Sequence, residues 1–221
     1  MKKLIISLLF AVSLTGLFAQ NSDLNTQLLE ACKNNNYEEA KKLVEQGADV
    51  NCMDENKATP LMWASYKSDL NLVIFLVKNG ASPNKKGIIH YSESGTYGSS
   101  LIAAAGEGKL EIVRYLIESC NIGVDDPEIG TDGKDGWNAL HTAAYFGQDS
   151  VVNYLLLQGA DINKVYKSDG NAPLLYSIMK NKYYTAQLLI EKGADVNARN
   201  EYGETPLHFA SKEGSFEIAQ L

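Results

Sequence analysis

Apolar residues return along this chain in short bursts at helical spacing, each closed by polar and glycine-rich punctuation. Val151, Val152, Leu155 and Leu156 fall on one stripe of a helix, and that burst closes at Gly159. The closing phrase repeats as Gln46-Gly47-Ala48-Asp49-Val50-Asn51, Asn79-Gly80-Ala81-Ser82-Pro83-Asn84, Gln158-Gly159-Ala160-Asp161-Ile162-Asn163 and Lys192-Gly193-Ala194-Asp195-Val196-Asn197. Gly47 and Gly80 are 33 positions apart, Gly159 and Gly193 34. Self-similarity at such a period predicts a solenoid built from copies of one small unit, and glycine at these points suits the left-handed residue that ends a helix.

A second phrase precedes each of these endings. It reads Thr59-Pro60-Leu61-Met62, Ser99-Ser100-Leu101-Ile102, Asn138-Ala139-Leu140-His141, Ala172-Pro173-Leu174-Leu175 and Thr205-Pro206-Leu207-His208. Thr205 can cap free N–H groups, and Pro206 fits a first helical turn, where its missing N–H costs nothing. Small residues follow (Ala64-Ser65, Ala104-Ala105, Ala143-Ala144, Ala210-Ser211), so neighbouring helices can approach closely. These phrases resemble the ankyrin repeat, a β-hairpin followed by two antiparallel helices. The resemblance spans roughly residues 24–221 and implies an all-α repeat solenoid of about six units: 24–51, 52–84, 85–124, 125–163, 164–197 and a partial 198–221. The first unit lacks the Thr-Pro-Leu phrase and reads as an N-terminal cap.

The departures from the period carry information. Leu61 to Leu101 is 40 positions and Leu101 to Leu140 is 39, so the third and fourth units carry insertions of about seven and six residues. The first falls within 85–98 and holds His90, Tyr91 and Tyr97. The second falls within 121–135 and holds Asp125, Asp126, Glu128, Asp132 and Asp135. Both sit where hairpin loops are expected, and lengthening a loop costs only about 0.6 kcal/mol per doubling. Cys120-Asn121 stands where the other units place the helix-ending glycine. The sixth unit stops inside its second helix, which predicts poor cover for Phe216, Ile218 and Leu221 and a frayed end, or a chain cut short of its natural terminus.

Met1-Lys2-Lys3 followed by an apolar run from Leu4 to Phe18 and a small Ala19 reads as an export signal, so residues 1–19 are expected to be a signal peptide and 20–221 the repeat domain. Fifteen positions are short of the ~20 a spanning helix needs, and neither Gln20 nor Asn21 is the cysteine of a lipoprotein. The expected location is periplasmic or secreted, in a bacterium, with no membrane insertion after cleavage. Loss of Lys2 and Lys3 would take the formal charge from −7 to about −9, which argues against nucleic acid as a partner. Three cysteines leave at least one unpaired; a Cys32–Cys52 bridge is open, and Cys120 is distant in sequence.

Catalytic signatures do not assemble. His141 and His208 hold the fourth position of the Thr-Pro-Leu-His phrase, where the resemblance implies a structural hydrogen bond between repeats, and His90 lacks a ligand at metal spacing. Gly106-Glu107-Gly108-Lys109 has Ala103 and Leu110 where a phosphate loop needs Gly and Ser or Thr. The acidic insertion could offer oxygen ligands to Ca²⁺, but its spacing does not fit a calcium loop, and a solvated loop is the expectation. The chain is therefore read as non-enzymatic and without a cofactor, the alternative being a metal-dependent or enzymatic factor using 121–135.

The resemblance implies a protein partner on the concave face, met by hairpin tips and the end of each first helix. Carried over by position, the helix ends are Tyr66 and Lys67, Gly106 and Glu107, Tyr145 and Phe146, Met179 and Lys180, and Lys212 and Glu213. The tips are Glu55 and Asn56, Trp137, Ser168 and Asp169, and Tyr202. Trp137, Tyr145 and Phe146 read as an exposed aromatic cluster, with packing on the insertions as the competing role; Trp63, Tyr176 and Phe209 read as packing between repeats. Self-association by end-to-end stacking through the uncapped last unit is a further possibility.

Overall fold

Helix starts and stops in the computed structural model follow the punctuation of the sequence. It describes residues 23–67, 69–90, 96–127, 136–166 and 169–221; the expected signal peptide lies outside them. Contacts divide the chain after Ser82 into two compact units.

The first unit contains α1 (23–33), α2 (Tyr37–Glu45), α3 (Pro60–Lys67) and α4 (Leu70–Lys78). The second opens with a short antiparallel pair, β1 (Ile89–His90) and β2 (Thr96–Tyr97), in the register Ile89↔Tyr97. This pair occupies the first insertion, where a hairpin loop was expected. Four helix pairs follow: α5 (Ser100–Gly106) with α6 (Leu110–Glu118), α7 (Ala139–Phe146) with α8 (Asp149–Leu157), α9 (Pro173–Met179) with α10 (Tyr183–Glu191), and α11 (Pro206–Lys212) with α12 (Phe216–Ala219). The architecture is an all-α repeat solenoid.

Capping explains where the first helices begin. Thr59 Oγ1, Ser99 Oγ and Asn138 Oδ1 each accept the N–H three residues on, at 3.2, 3.3 and 3.0 Å. At Thr205 the expected cap works through the ring of His208, whose Nδ1 lies 2.7 Å from the threonine hydroxyl. Ala172 has no capping side chain, and Pro173 opens α9 instead. Ala143 and Ala144 are fully buried, which lets α7 pack against both α5 and α9.

At the end of α8, Gly159 takes φ +87°, and the N–H groups of Gly159 and Ala160 return to Leu156 and Leu155 at 3.1 and 3.0 Å. Cys120 breaks this rule, and the structure moves the left-handed residue on by one: Asn121 adopts φ 55°, with Ile122 N–H reaching Leu116 O at 3.3 Å.

Side-chain oxygens at matching positions tie one repeat to the next. Asn25 Oδ1 accepts Asp49 N–H at 2.7 Å, Asn51 Oδ1 accepts Ser82 N–H at 2.8 Å, and Asn163 Oδ1 accepts Asp195 N–H at 2.9 Å. Asp125 fills this role in the unit carrying the acidic insertion, accepting Asp161 N–H at 3.0 Å.

The last helix pair departs from expectation in part. α12 forms, and Ile218 is buried, whereas Phe216 and Leu221 are exposed. Leu207 is 61% exposed, although Leu61, Leu101, Leu140 and Leu174 at the same register are all at 2% or less. His208, Ser211 and Ala219 are likewise exposed where their counterparts His141, Ala144 and Val152 are buried. No described helix is long and apolar enough to cross a membrane.

Candidate protein-binding face

Trp137 ends the hairpin segment directly before the Asn138 cap, and Tyr145 lies on the last turn of α7, two turns along the same side. Their indole and phenol rings stack at 4.9 Å between centroids, tilted by 53°. Trp137 also stacks on Tyr176 of α9 at 4.5 Å, and its Nε1–H donates to the Tyr176 hydroxyl at 3.0 Å. That hydroxyl donates in turn to the Asp169 carboxylate, at 2.8 Å to Oδ2. Asn171 completes the node, its backbone N–H and side-chain amide each 2.9 Å from an Asp169 oxygen.

Burial and the Asp169 carboxylate push the Tyr176 phenol far above its ordinary range, so it stays a neutral donor and holds the indole in place. Phe146 meets Tyr145 edge-on at 5.0 Å, and the Lys180 ammonium lies 4.6 Å from the centre of the Tyr145 ring. Trp137, Tyr145 and Phe146 are half-buried, Lys180 exposed and Tyr176 buried. The three aromatics thus rest on one another and on Tyr176, a more sheltered arrangement than the exposed cluster read from the sequence.

The other candidates separate. Met179 is half-buried and receives the Asn171 amide at 3.9 Å from its sulfur. Tyr202, 75% exposed, sits on the 200–204 turn, its N–H donated to Asn200 Oδ1 at 3.0 Å. Tyr66 and Lys67 belong to the first unit, where the Lys67 ammonium lies 5.2 Å from the Tyr66 ring. Beside them Trp63 donates its Nε1–H to Asp54 at 3.2 Å, and Lys33 sits 3.6 Å from the same carboxylate oxygen. Ser168 lies outside the described residues.

Tyr176 packs between repeats as read from the sequence; what sequence reasoning did not foresee is its hydrogen bond to Asp169, which was read as a hairpin tip. A usable signal exists: a buried tyrosine needs a partner for its hydroxyl, and an aspartate stands seven residues before it.

His141 is structural in geometry. Nε2 meets the carbonyl of Lys164 in the next unit at 2.8 Å, and Nδ1 lies 2.6 Å from Asn138 Oδ1 and 3.4 Å from the Asn138 N–H. With Nε2–H as donor, one ring caps its own helix and bridges to its neighbour. Burial lowers its pKa to about 4.

The turn that superficially suggests a phosphate loop is occupied by protein: Gln148 Nε2–H donates to Gly106 O at 2.8 Å. In the acidic insertion, Asp125 accepts Asn138 Nδ2–H at 2.9 Å and Asp126 accepts Gly123 N–H at 3.1 Å; Glu128, Asp132 and Asp135 lie outside the described residues. Among the described residues no cluster of three metal-ligating side chains occurs.

No disulfide joins Cys32, Cys52 or Cys120. The Cys52 sulfur lies 3.6 Å from Asn25 O. Burial, then the neighbouring Cys52, raises the Cys32 pKa to about 12.

Comparison with known proteins agrees with this layout. The family model described as ankyrin repeats (3 copies) matches residues 3–87 and 90–166, and that described as ankyrin repeats (many copies) matches 174–221. The B-cell lymphoma 3 protein homolog of Mus musculus is 32% identical over 167 residues, which is 75% of this chain and 35% of the relative. The chain therefore spans about a third of that relative's length. Among solved structures, the ankyrin repeat domain of Bcl-3 superposes with a TM-score of 0.66 at 27% identity, covering 87% of this chain and 82% of the other. A chain in the complex of predatory endopeptidase Bd0816 from Bdellovibrio bacteriovorus with immunity protein Bd3460 gives 0.72 at 25% identity, covering 88% and 95%. Repeats of this kind generally mediate interaction between proteins.

Proposed function

We propose that this chain, which belongs to the ankyrin repeat family, is a non-catalytic protein-binding module, exported to the periplasm or beyond, that holds its partner on the face built from first-helix ends and hairpin tips. The observation that carries this reading is the node of Trp137, Tyr145 and Tyr176. Its two outer rings keep accessible surface, yet they are fixed by stacking and by the Trp137–Tyr176–Asp169 hydrogen-bond chain. Rigid aromatic surface is what dominates interface energetics, because little side-chain freedom remains to be lost on binding. A fold relative caught in a complex of two proteins supports the choice of a protein as partner. Export rests on the basic start, apolar run and Ala19 of the N-terminal segment.

Affinity capture with residues 20–221 from an envelope extract and from culture medium should yield a partner that the double variant Trp137→Ala, Tyr145→Ala captures at least about thirtyfold more weakly, consistent with losing about 2 kcal/mol or more at a hot spot. The far-ultraviolet circular dichroism of the variant should match the parent. Undiminished capture, or lost helicity, would refute this assignment.

A second reading is favoured by the open face of Leu207, His208, Ser211 and Ala219, whose counterparts in earlier units are covered by the next helix pair. Such a face fits another helix pair of the same type, and a second copy of the chain can supply one. Light scattering after size exclusion should then show mass rising with concentration for the parent and a constant monomer for Leu207→Glu.

A further inference from the structure

Any partner that covers Trp137 and Tyr145 must also cover a cation. The Lys180 ammonium stands 4.6 Å from the centre of the Tyr145 ring, held over the aromatic face. Among the described residues the ion pairs join Lys33 to Asp54, Lys42 to Glu39, and Arg114 to Glu111 and Glu118; Lys180 joins none. Glu213 occupies the equivalent helix end in the next unit and forms no ion pair with it. Asp169, the carboxylate of the node, is already engaged by the Tyr176 hydroxyl and by two N–H groups of Asn171. In the free protein, water solvates the exposed face of the ammonium. Once a partner closes over the rings that water leaves, and a desolvated ammonium without a counter-charge costs several kcal/mol. A purely apolar contact would forfeit much of what the aromatic surface offers.

We infer that Lys180 is the specificity residue of this face and that it selects a partner segment carrying an Asp or Glu side chain next to an apolar one, the carboxylate meeting the ammonium while its neighbour lies on Trp137 and Tyr145. The first unit repeats the pattern on its own helix end, where Lys67 lies over Tyr66 at 5.2 Å. The inference rests on the protein-binding reading above and adds the chemistry of the partner.

A phage-displayed library of random dodecapeptides, panned on the full chain, tests it. The selected peptides should place Asp or Glu within two positions of an aromatic or aliphatic residue. By fluorescence anisotropy, exchanging that acid for its amide should weaken binding about tenfold, as expected for one charge-assisted contact. Lys180→Met should bind acid and amide peptides alike, while Lys180→Arg keeps the preference. Equal binding of acid and amide peptides to the parent, or an undiminished acid preference in Lys180→Met, overturns the assignment of Lys180 while leaving the binding face intact. Selection of no peptide that Trp137→Ala, Tyr145→Ala loses would overturn the binding face itself, and this inference with it.

Discussion

Replacing Leu140 by alanine should destabilise the protein by about 2–5 kcal/mol, while the same change at Leu207 should cost about 0.5 kcal/mol or less. Both residues hold the third position of the same sequence phrase, and both follow a capped helix start. Leu140 is wholly inaccessible on a helix packed between α5 and α9, so shortening it leaves a cavity with neighbours on two sides. Leu207 is 61% exposed, and its removal opens no cavity. Urea unfolding of the two variants measures the difference, with midpoint shifts read at constant slope so that they report stability. Similar losses at the two positions would mean that the face of α11 is covered in solution by something absent here, such as a second copy. The comparison thereby tests the packing and the second functional reading together.

The period of the glycine phrases and the capping residues made the helix pairs legible in the sequence, because both signals are local. Thr59, Ser99 and Asn138 act within three residues of themselves, and no knowledge of neighbouring units is needed to place them. The displaced turn at Asn121 was less legible: two adjacent residues, Cys120 and Asn121, could each have ended α6, and only asparagine tolerates the left-handed conformation readily. At the candidate site the helix-end register brought Tyr145 and Phe146 into view. Their support came from elsewhere, since Tyr176 and Asp169 lie more than twenty residues further on and converge with Trp137 only once α9 stacks on α7. Trp137 thus looks like an exposed tip in sequence and is half-buried in the fold. The role of His141 was legible as a bond between units, but its second task, meeting Asn138 at the cap of its own helix, required the ring orientation.

Burial makes His141 the largest pH-dependent term expected between pH 4 and 7 among the described residues. Its folded-state pKa of about 4, set chiefly by burial, lies below the ordinary 6.5 of an accessible histidine. Between those values the unfolded chain binds a proton that the folded chain refuses, so stability rises with pH across the window. Read downward, the contribution is complete above pH 6.5, falls through the interval and is gone near pH 4, a loss of about 3 kcal/mol at 1.36 kcal/mol per unit. Carboxylates titrate over part of the same range, so the parent must be compared with a variant that differs only here. Leucine is the natural replacement, because Leu175 fills this position in the next unit and is equally buried. His141→Leu should be less stable than the parent at pH 7 by about 1–3 kcal/mol, having left the Lys164 carbonyl and the Asn138 N–H without their ring partner. As pH falls from 7 to 4.5 that gap should shrink by about 2–3 kcal/mol, since the variant has no buried imidazole to protonate. Urea unfolding at half-unit pH steps measures the gap directly. Parallel curves for the two proteins would show that the ring is accessible to protons in the folded state and that its bridge to the next unit is not a buried one.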